Sequence, residues 1–362
     1  MRLVDRRIWM RRTTTLLAAS AWPRAGRGAV SSDGRRPEPI RIGQIGVRHA
    51  HATKLSIYRE SPDYEVVGIV EPDDQAWKQA STKPAFHGLN RLTREQLLNT
   101  PRLQAVLVET QVSDLLENAA VCVNAGMHVH LDKPAGESLS RYRQLLEEAT
   151  RRKLWVQMGY MYRYNPAVVA LREAVQRGWL GTIFEVDAVM SKTIGPEERA
   201  ALARYPGGIM FELGCHVIDL VIGILGAPRQ IAPYPRHSSK QDDRLPDNML
   251  AVFEYPRATA TVRSSAIEVD GFARRHLVVC GTEGTFHVQP LDDPAARVTF
   301  SSARGPYQKG YQTLNFPRYT RYVADAADMA RVIRGEKAAD FSPSHDLAVQ
   351  SAVLRASGLT ID

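Results

Sequence analysis

The chain has 362 residues, 44% of them hydrophobic, with 47 basic and 39 acidic side chains. That length supplies more than one domain core, and its apolar runs are too short for stable membrane insertion. Nine arginines and two acids fall within residues 1–36; removing them leaves 38 basic and 37 acidic residues, a nearly neutral body with no basic stripe of interleaved aromatics, so nucleic acid is not an expected partner.

Residues 1–36 read as a leader rather than as part of a fold. Arg11-Arg12, the short apolar stretch Thr15–Ala19 and the small residues after it have the shape of a twin-arginine export signal, complete from Met10 onward. The expected location is therefore the periplasm, or the cytoplasm if the leader does not act; a disordered basic tail is the alternative. Cys122, Cys215 and Cys280 are too few and too scattered for a disulfide framework or a cysteine metal site.

From residue 37 to about 160 strands alternate with helices. Strands are expected at Pro39–Ile45, Tyr64–Val70, Ala105–Val108, Met127–Leu131 and Leu154–Met158, and helices at Ser113–Ala125 and Ser140–Arg152. Thr93-Arg94-Glu95-Gln96 has capping-box spacing. This alternation predicts a Rossmann-like, doubly wound parallel sheet over 37–160. The turn Gly43–His51 after the first strand offers Gly43, Gly46, Val47, Arg48 and His49 to a dinucleotide. It keeps one glycine of a G-x-G-x-x-G fingerprint counted from Gly46: Arg48 stands for the second and His51 for the third. Glu71, 25 residues after Gly46 at the end of the second strand, is placed to accept both ribose hydroxyls of NAD and to repel the extra phosphate of NADP. Arg48 offers a cation to the pyrophosphate, and Thr110 and Gln111 close the third strand on the same edge.

Past residue 160 strands follow one another: Ile183–Met190, Asn248–Tyr255, Ala258–Ile267, His276–Cys280 and Thr285–Val288. An α+β domain with an open, mainly antiparallel sheet is expected over 161–362, with terminal helices at Thr320–Arg334 and His345–Ala356 packing back on the core. Residues 191–206 and 229–247 read as loops. Tyr160 and Arg163 are expected in the interdomain cleft.

Two stretches carry chemistry. Lys133 precedes a proline at the end of a hydrophobic strand, where an open α/β sheet puts its site. Glu212, His216 and Asp219 share a helical face in the apolar run Gly207–Leu220, where burial of polar groups is costly unless they are paired or used. A core histidine with a carboxylate partner is the plain alternative. No metal is expected, since three residues on one helix rarely surround an ion.

Ala125-Gly126-Met127-His128-Val129-His130-Leu131-Asp132-Lys133-Pro134, Gly159-Tyr160-Met161-Tyr162-Arg163-Tyr164-Asn165-Pro166 and Gly207–Asp219 together resemble the glucose–fructose oxidoreductase, inositol dehydrogenase and rhizopine-catabolism (Gfo/Idh/MocA) family. The likeness covers nearly everything after residue 39. It implies an NAD-dependent oxidoreductase acting on a secondary alcohol of a sugar, cyclitol or derivative, and a homo-oligomer joined through the C-terminal sheet. Lys133 would sit beside nicotinamide and the reacting hydroxyl, His216 would be the acid/base, and Glu212, in place of aspartate, would orient His216. Asp132, in place of glutamate, and Arg163 would contact cofactor; Tyr160, Arg163, Glu212 and His216 would meet substrate. Two alternatives stay open: a cofactor-retaining enzyme that uses transient oxidation for glycoside cleavage, epimerisation or paired sugar redox, and a non-catalytic sugar- or nucleotide-binding paralogue.

Overall fold

The computed structural model describes residues 37–362. The expected leader lies outside them. Five strands, β1 (Ile40–Ile45), β2 (Tyr64–Val70), β3 (Leu103–Val108), β4 (His128–Leu131) and β5 (Val156–Met158), form a parallel sheet in the order β2-β1-β3-β4-β5. Ile42, Val106, Leu107, Val129 and Leu131 are all fully buried, as a sheet covered by helices on both faces requires. The strand order reverses at β1 and β3, and the chain leaves both of them at the edge where such sheets bind ligands. Thr93 caps the short helix Arg94–Leu98 with the expected reciprocal pair, its hydroxyl accepting from Gln96 N while the Gln96 side chain accepts from Thr93 N.

The second sheet has eight strands: β6 (Ile183–Val189), β7 (Gln230–Arg236), β8 (Asn248–Glu254), β9 (Thr259–Ser265), β10 (His276–Gly281), β11 (Gly284–Val288), β12 (Ala295–Phe300) and β13 (Gly310–Asn315). Their order is β13-β12-β11-β10-β6-β9-β8-β7. All neighbours run antiparallel except β6 and β9, which are parallel at the centre. Two of the expected loops contain regular structure. Helix Pro196–Leu202 starts on a proline at its first turn, and β7 carries Pro233 and Pro235. Proline cannot donate to a ladder and signals a loop in sequence; β7 tolerates two because it pairs only with β8, at the edge.

The last two helices, Val323–Ile333 and Pro343–Ala356, pack on different layers. The first returns to the N-terminal half, where Ala326, Met329 and Ala330 join Ile40, Ile42, Tyr58 and Phe86 in one apolar cluster. The Tyr64 hydroxyl donates to the Ala326 carbonyl at 2.7 Å, and Gln157 Nε2 donates to the Asp325 carbonyl at 3.1 Å. The second packs with the helix Cys215–Leu225, and its Gln350 side chain accepts from Ala135 N at 3.1 Å, just past Lys133-Pro134.

Candidate functional site

Gly46 fixes the turn that follows β1. Its φ is +92°, and a Cβ there would lie 2.7 Å from the Glu109 carbonyl oxygen and from Thr110 N. Only glycine lets the ends of β1 and β3 come this close. The next N–H, of Val47, donates to Glu71 Oε2 at 3.2 Å, and Asp73 N donates to Glu71 Oε1 at 3.1 Å. Glu71 is thus anchored at the wall of a cavity of about 740 Å³, shared with Gly46, Arg48, Arg91, Thr110 and Gln111. Arg48 pairs with Asp73 across it.

The rest of the turn satisfies itself. His49 N donates to the Glu109 carbonyl at 3.1 Å, Ala52 N to the His49 carbonyl at 3.0 Å, and His51 N to His49 Nδ1 at 3.2 Å. Several N–H groups that a glycine-rich turn would aim at a pyrophosphate are engaged internally. The cavity and the carboxylate at the end of β2 fit the adenosine half of a dinucleotide; toward the phosphates the chain offers the Arg48 side chain. Gly43 is not part of this wall. A Cβ on it would strike Leu97 Cδ1 at 2.4 Å, so it makes room for the helix Arg94–Leu98 and is corrected to a packing position.

Behind the turn lies a buried polar cluster. Lys54 Nζ, which has no exposed side-chain surface, reaches Asp132 Oδ2 at 2.6 Å, Glu109 Oε1 at 3.0 Å and His130 Nε2 at 2.9 Å. Burial opposes the ammonium, but Asp132 and Glu109 outweigh it and hold the Lys54 pKa above its usual value. Burial also opposes an ionised Asp132, yet His49, Lys54 and His51 around it keep its pKa well below the usual carboxylate range. Glu109 goes the other way, raised by burial and by Asp132. Asp132 is therefore the anion of the cluster. It is corrected from a cofactor contact to the centre of an interior network. A Cβ at Gly159 would sit 3.0 Å from Asp132 Oδ1 and 3.2 Å from Lys54 Nζ, which explains a glycine after β5.

Lys133 and Glu212 meet from the two halves of the chain. Lys133 Nζ donates to the Glu212 carbonyl at 2.6 Å and to Glu212 Oε1 at 2.9 Å. Burial works against the ammonium, and Glu212 reverses the balance, so the Lys133 pKa is raised. Burial likewise disfavours the Glu212 carboxylate, and Lys133, followed by Lys192, pulls it down to about 2.

Glu212 does not contact His216 by a hydrogen bond, contrary to its expected orienting role. The segment Met210–Gly214 is a π-helical turn that runs directly into the helix Cys215–Leu225. The widened turn breaks the i,i+4 relation that a continuous α-helix would give positions 212 and 216. Both ring nitrogens of His216 are buried and lack a partner among the described residues. Its ring lies among those of His51, Tyr162 and Tyr160, at centroid distances of 5.6, 6.0 and 6.2 Å. Burial, then Lys133, holds its pKa well below 6.5, so the imidazole is neutral with an unclaimed lone pair.

Asp219, on the same helix, faces elsewhere. Arg163 donates from Nε to both its oxygens at 3.1 Å and from Nη2 at 2.6 Å, and also pairs with Asp346. With Arg163 only 2% exposed, its expected contacts with cofactor and substrate are corrected: the guanidinium ties interior helices together. Tyr160 stacks under that guanidinium, 4.9 Å from ring centroid to Cζ, while its ring edge borders His216. His237, His276, His287 and His345, for which the sequence suggests no partners, all have them, His345 on Asp219 and His276 on Asp187.

Sequence reasoning passed over Lys54 and His51 as site residues. Their signal was present: His51, Lys54 and Tyr58 recur at i, i+3 and i+7, the spacing of one helical face, and the 3-10 turn Ala52–Lys54 that leads into the helix Leu55–Glu60 brings all three to His130 and Asp132 at the end of β4.

Comparison with known proteins agrees with this architecture. Residues 40–160 match the model of an oxidoreductase family with an NAD-binding Rossmann fold, and residues 168–287 match the GFO/IDH/MocA C-terminal domain. Trans-1,2-dihydrobenzene-1,2-diol dehydrogenase of Bos taurus is 25% identical over 199 residues, 54% of this chain and 57% of that protein. The chain thus spans less than two thirds of the length of this relative. Inositol 2-dehydrogenase 3 of Saccharopolyspora erythraea is 25% identical over 266 residues, 71% of this chain and 74% of that protein. Among solved structures, UDP-N-acetylglucosamine 3-dehydrogenase of Acidithiobacillus ferrooxidans superimposes with a TM-score of 0.73 at 18% identity, covering 88% of this chain and 97% of that one. An oxidoreductase of Agrobacterium radiobacter, in complex with NAD+, L-tartaric acid and magnesium, gives 0.74 at 15% identity, over 89% and 97%. By its two matched domains, which follow the two sheets described above, the chain belongs to the Gfo/Idh/MocA family of NAD-binding oxidoreductases.

Proposed function

We propose that this protein is an NAD-linked dehydrogenase of a secondary alcohol in a polyhydroxylated small molecule, a sugar or cyclitol. One observation carries the reading: Lys133, just past the C-terminal end of β4 and held charged by Glu212, acts on a neutral His216 whose ring nitrogens have no partner among the described residues. Glu71, Arg48, Thr110 and Gln111 would hold the nucleotide. When bound, nicotinamide supplies the hydride acceptor.

His216 takes the hydroxyl proton, the role a neutral imidazole fills at physiological pH. The Lys133 ammonium stabilises the oxygen as negative charge develops on it. Glu212 keeps that lysine protonated and aimed. Tyr160 and Tyr162 close the apolar side of the histidine and keep water from it.

The test begins with protein purified without added nucleotide, denatured and assayed for NAD(H) and NADP(H) against protein. The stripped and reloaded enzyme is then offered a panel of sugars and cyclitols, with reduced nicotinamide read by absorbance. Nucleotide binding together with reduction by at least one polyol is expected. No nucleotide bound on purification or titration would sink this reading in favour of a binding protein, which the internally satisfied turn at Gly46 would then explain.

A further inference from the structure

Removing a hydride and a proton from one carbon and its oxygen needs one base and one electrostatic partner, and His216 and Lys133 already fill those places. A second imidazole stands beside them. His51 Nδ1 lies 3.3 Å from Asp132 Oδ1, so the buried carboxylate accepts its N–H and fixes the tautomer. Nε2 then carries the lone pair and has no protein partner among the described residues. The side chain keeps 19% of its surface exposed, and its ring neighbours are His49 at 5.2 Å, His216 at 5.6 Å and Tyr322 at 5.8 Å. Lys133 and Glu212 are close enough to sense its charge. Burial brings its pKa down to about 4 against the pull of Asp132, so the ring is neutral.

A structural role explains this arrangement poorly. His51 occupies a position of the turn where a dinucleotide fingerprint has glycine, and the chain has built an aspartate-oriented imidazole there, its ring 5.6 Å from that of His216. The donor spacing of His49, His51 and Asp132 would also suit a cation, but the Lys54 ammonium at 2.6 Å from Asp132 already supplies the positive charge.

We infer that His51, oriented by Asp132, is a second acid/base that acts on the carbon next to the one oxidised. The step rests on the dehydrogenase reading, since it uses the carbonyl which that reaction forms. A new carbonyl acidifies the C–H on the adjacent carbon. That C–H bond breaks, Nε2 takes the proton, and the electron pair forms a C=C bond while the carbonyl oxygen becomes an enolate beside Lys133. Return of the proton from His51 to carbon restores the ketone, and no oxidant is consumed. The substrate class is accordingly narrowed to polyols with a hydrogen on the carbon adjacent to the oxidised one.

Two measurements test it. In the nucleotide-free full chain, diethyl pyrocarbonate followed by peptide mapping should modify His51, because its Nε2 is unpartnered on a side chain that keeps 19% of its surface exposed; an unmodified His51, with exposed His87 modified in the same sample, overturns the inference. In deuterated water, with the nucleotide-loaded enzyme and a polyol that reduces nicotinamide, the ketone product should carry deuterium beside the carbonyl above the enzyme-free rate. His51→Asn should lower deuterium incorporated per hydride transferred by at least about 100-fold, the low side of general-base contributions. Reduction of nicotinamide without enzyme-dependent deuterium, or a His51→Asn ratio equal to wild type, defeats the second base and leaves the dehydrogenase reading standing. If no polyol reduces nicotinamide, the dehydrogenase reading falls and this step falls with it.

Discussion

In the proposed reaction Lys133 and His216 divide the work by charge, and their environments enforce the division. Glu212 holds one nitrogen protonated, while burial and Lys133 keep the other unprotonated. Lys133→Ala and His216→Ala should each lower kcat for polyol oxidation by about 100-fold or more, with circular dichroism and nucleotide binding retained. Near wild-type turnover in either would remove it from the mechanism. Glu71→Ser acts on the other side of the cleft. It should relax the preference for NAD over NADP by about tenfold or more in kcat/KM, since a carboxylate no longer opposes the 2′-phosphate. An unchanged ratio would take Glu71 out of the ribose site.

At the level of elements, the interior ion network explains what sequence could and could not reveal. The parallel strands were legible because Ile42, Val106 and Val129 belong to continuous apolar runs. Lys133 was legible because it ends one of them. Arg163 was not: an arginine beside Tyr160 reads as cleft lining, and only packing shows that Asp219 and Asp346 converge on it from two helices. The π turn was equally hidden, since its residues have the same periodicity as an α-helix, and with it went the true partner of Glu212. Strand β7 was masked by its prolines. Arg163→Met should therefore cost stability, about 3–5 kcal/mol by denaturant titration, because two carboxylates lose their buried counter-charge. A well-folded Arg163→Met protein whose only defect is a raised KM would restore the residue to the substrate site.

For the molecule as a whole, stability should narrow from both sides of neutral pH. Burial holds His216, His130 and His51 below the 6.5 of a free imidazole, so on acidification through about 6.5 the unfolded chain binds protons first and stability declines. Asp325 has the opposite sign. Burial lifts its carboxyl from 3.8 to about 7, and no cation pairs with it among the described residues. Its contribution is whole below about pH 4 and is lost as pH rises through 7. Asp325→Asn should raise the melting temperature at pH 8.5 by the equivalent of about 3–4 kcal/mol relative to wild type, and change little at pH 4 or below. Equal effects at both values would show that the carboxyl is not ionising in the folded protein.

The helix Val323–Ile333 completes the apolar layer beneath β1 and β2, and it does so from the far end of the chain. During synthesis the nucleotide half emerges first, yet Ile40, Tyr58 and Phe86 wait for Ala326, Met329 and Ala330 to leave the ribosome. The N-terminal sheet is complete at Met158 but cannot finish burying that surface until the helix starting at Val323, about 165 residues later, has been translated, so its maturation is tied to that of the half between them. The two halves mature together, and a chain cut short before this helix presents an unfinished hydrophobic face in place of an independent nucleotide-binding module.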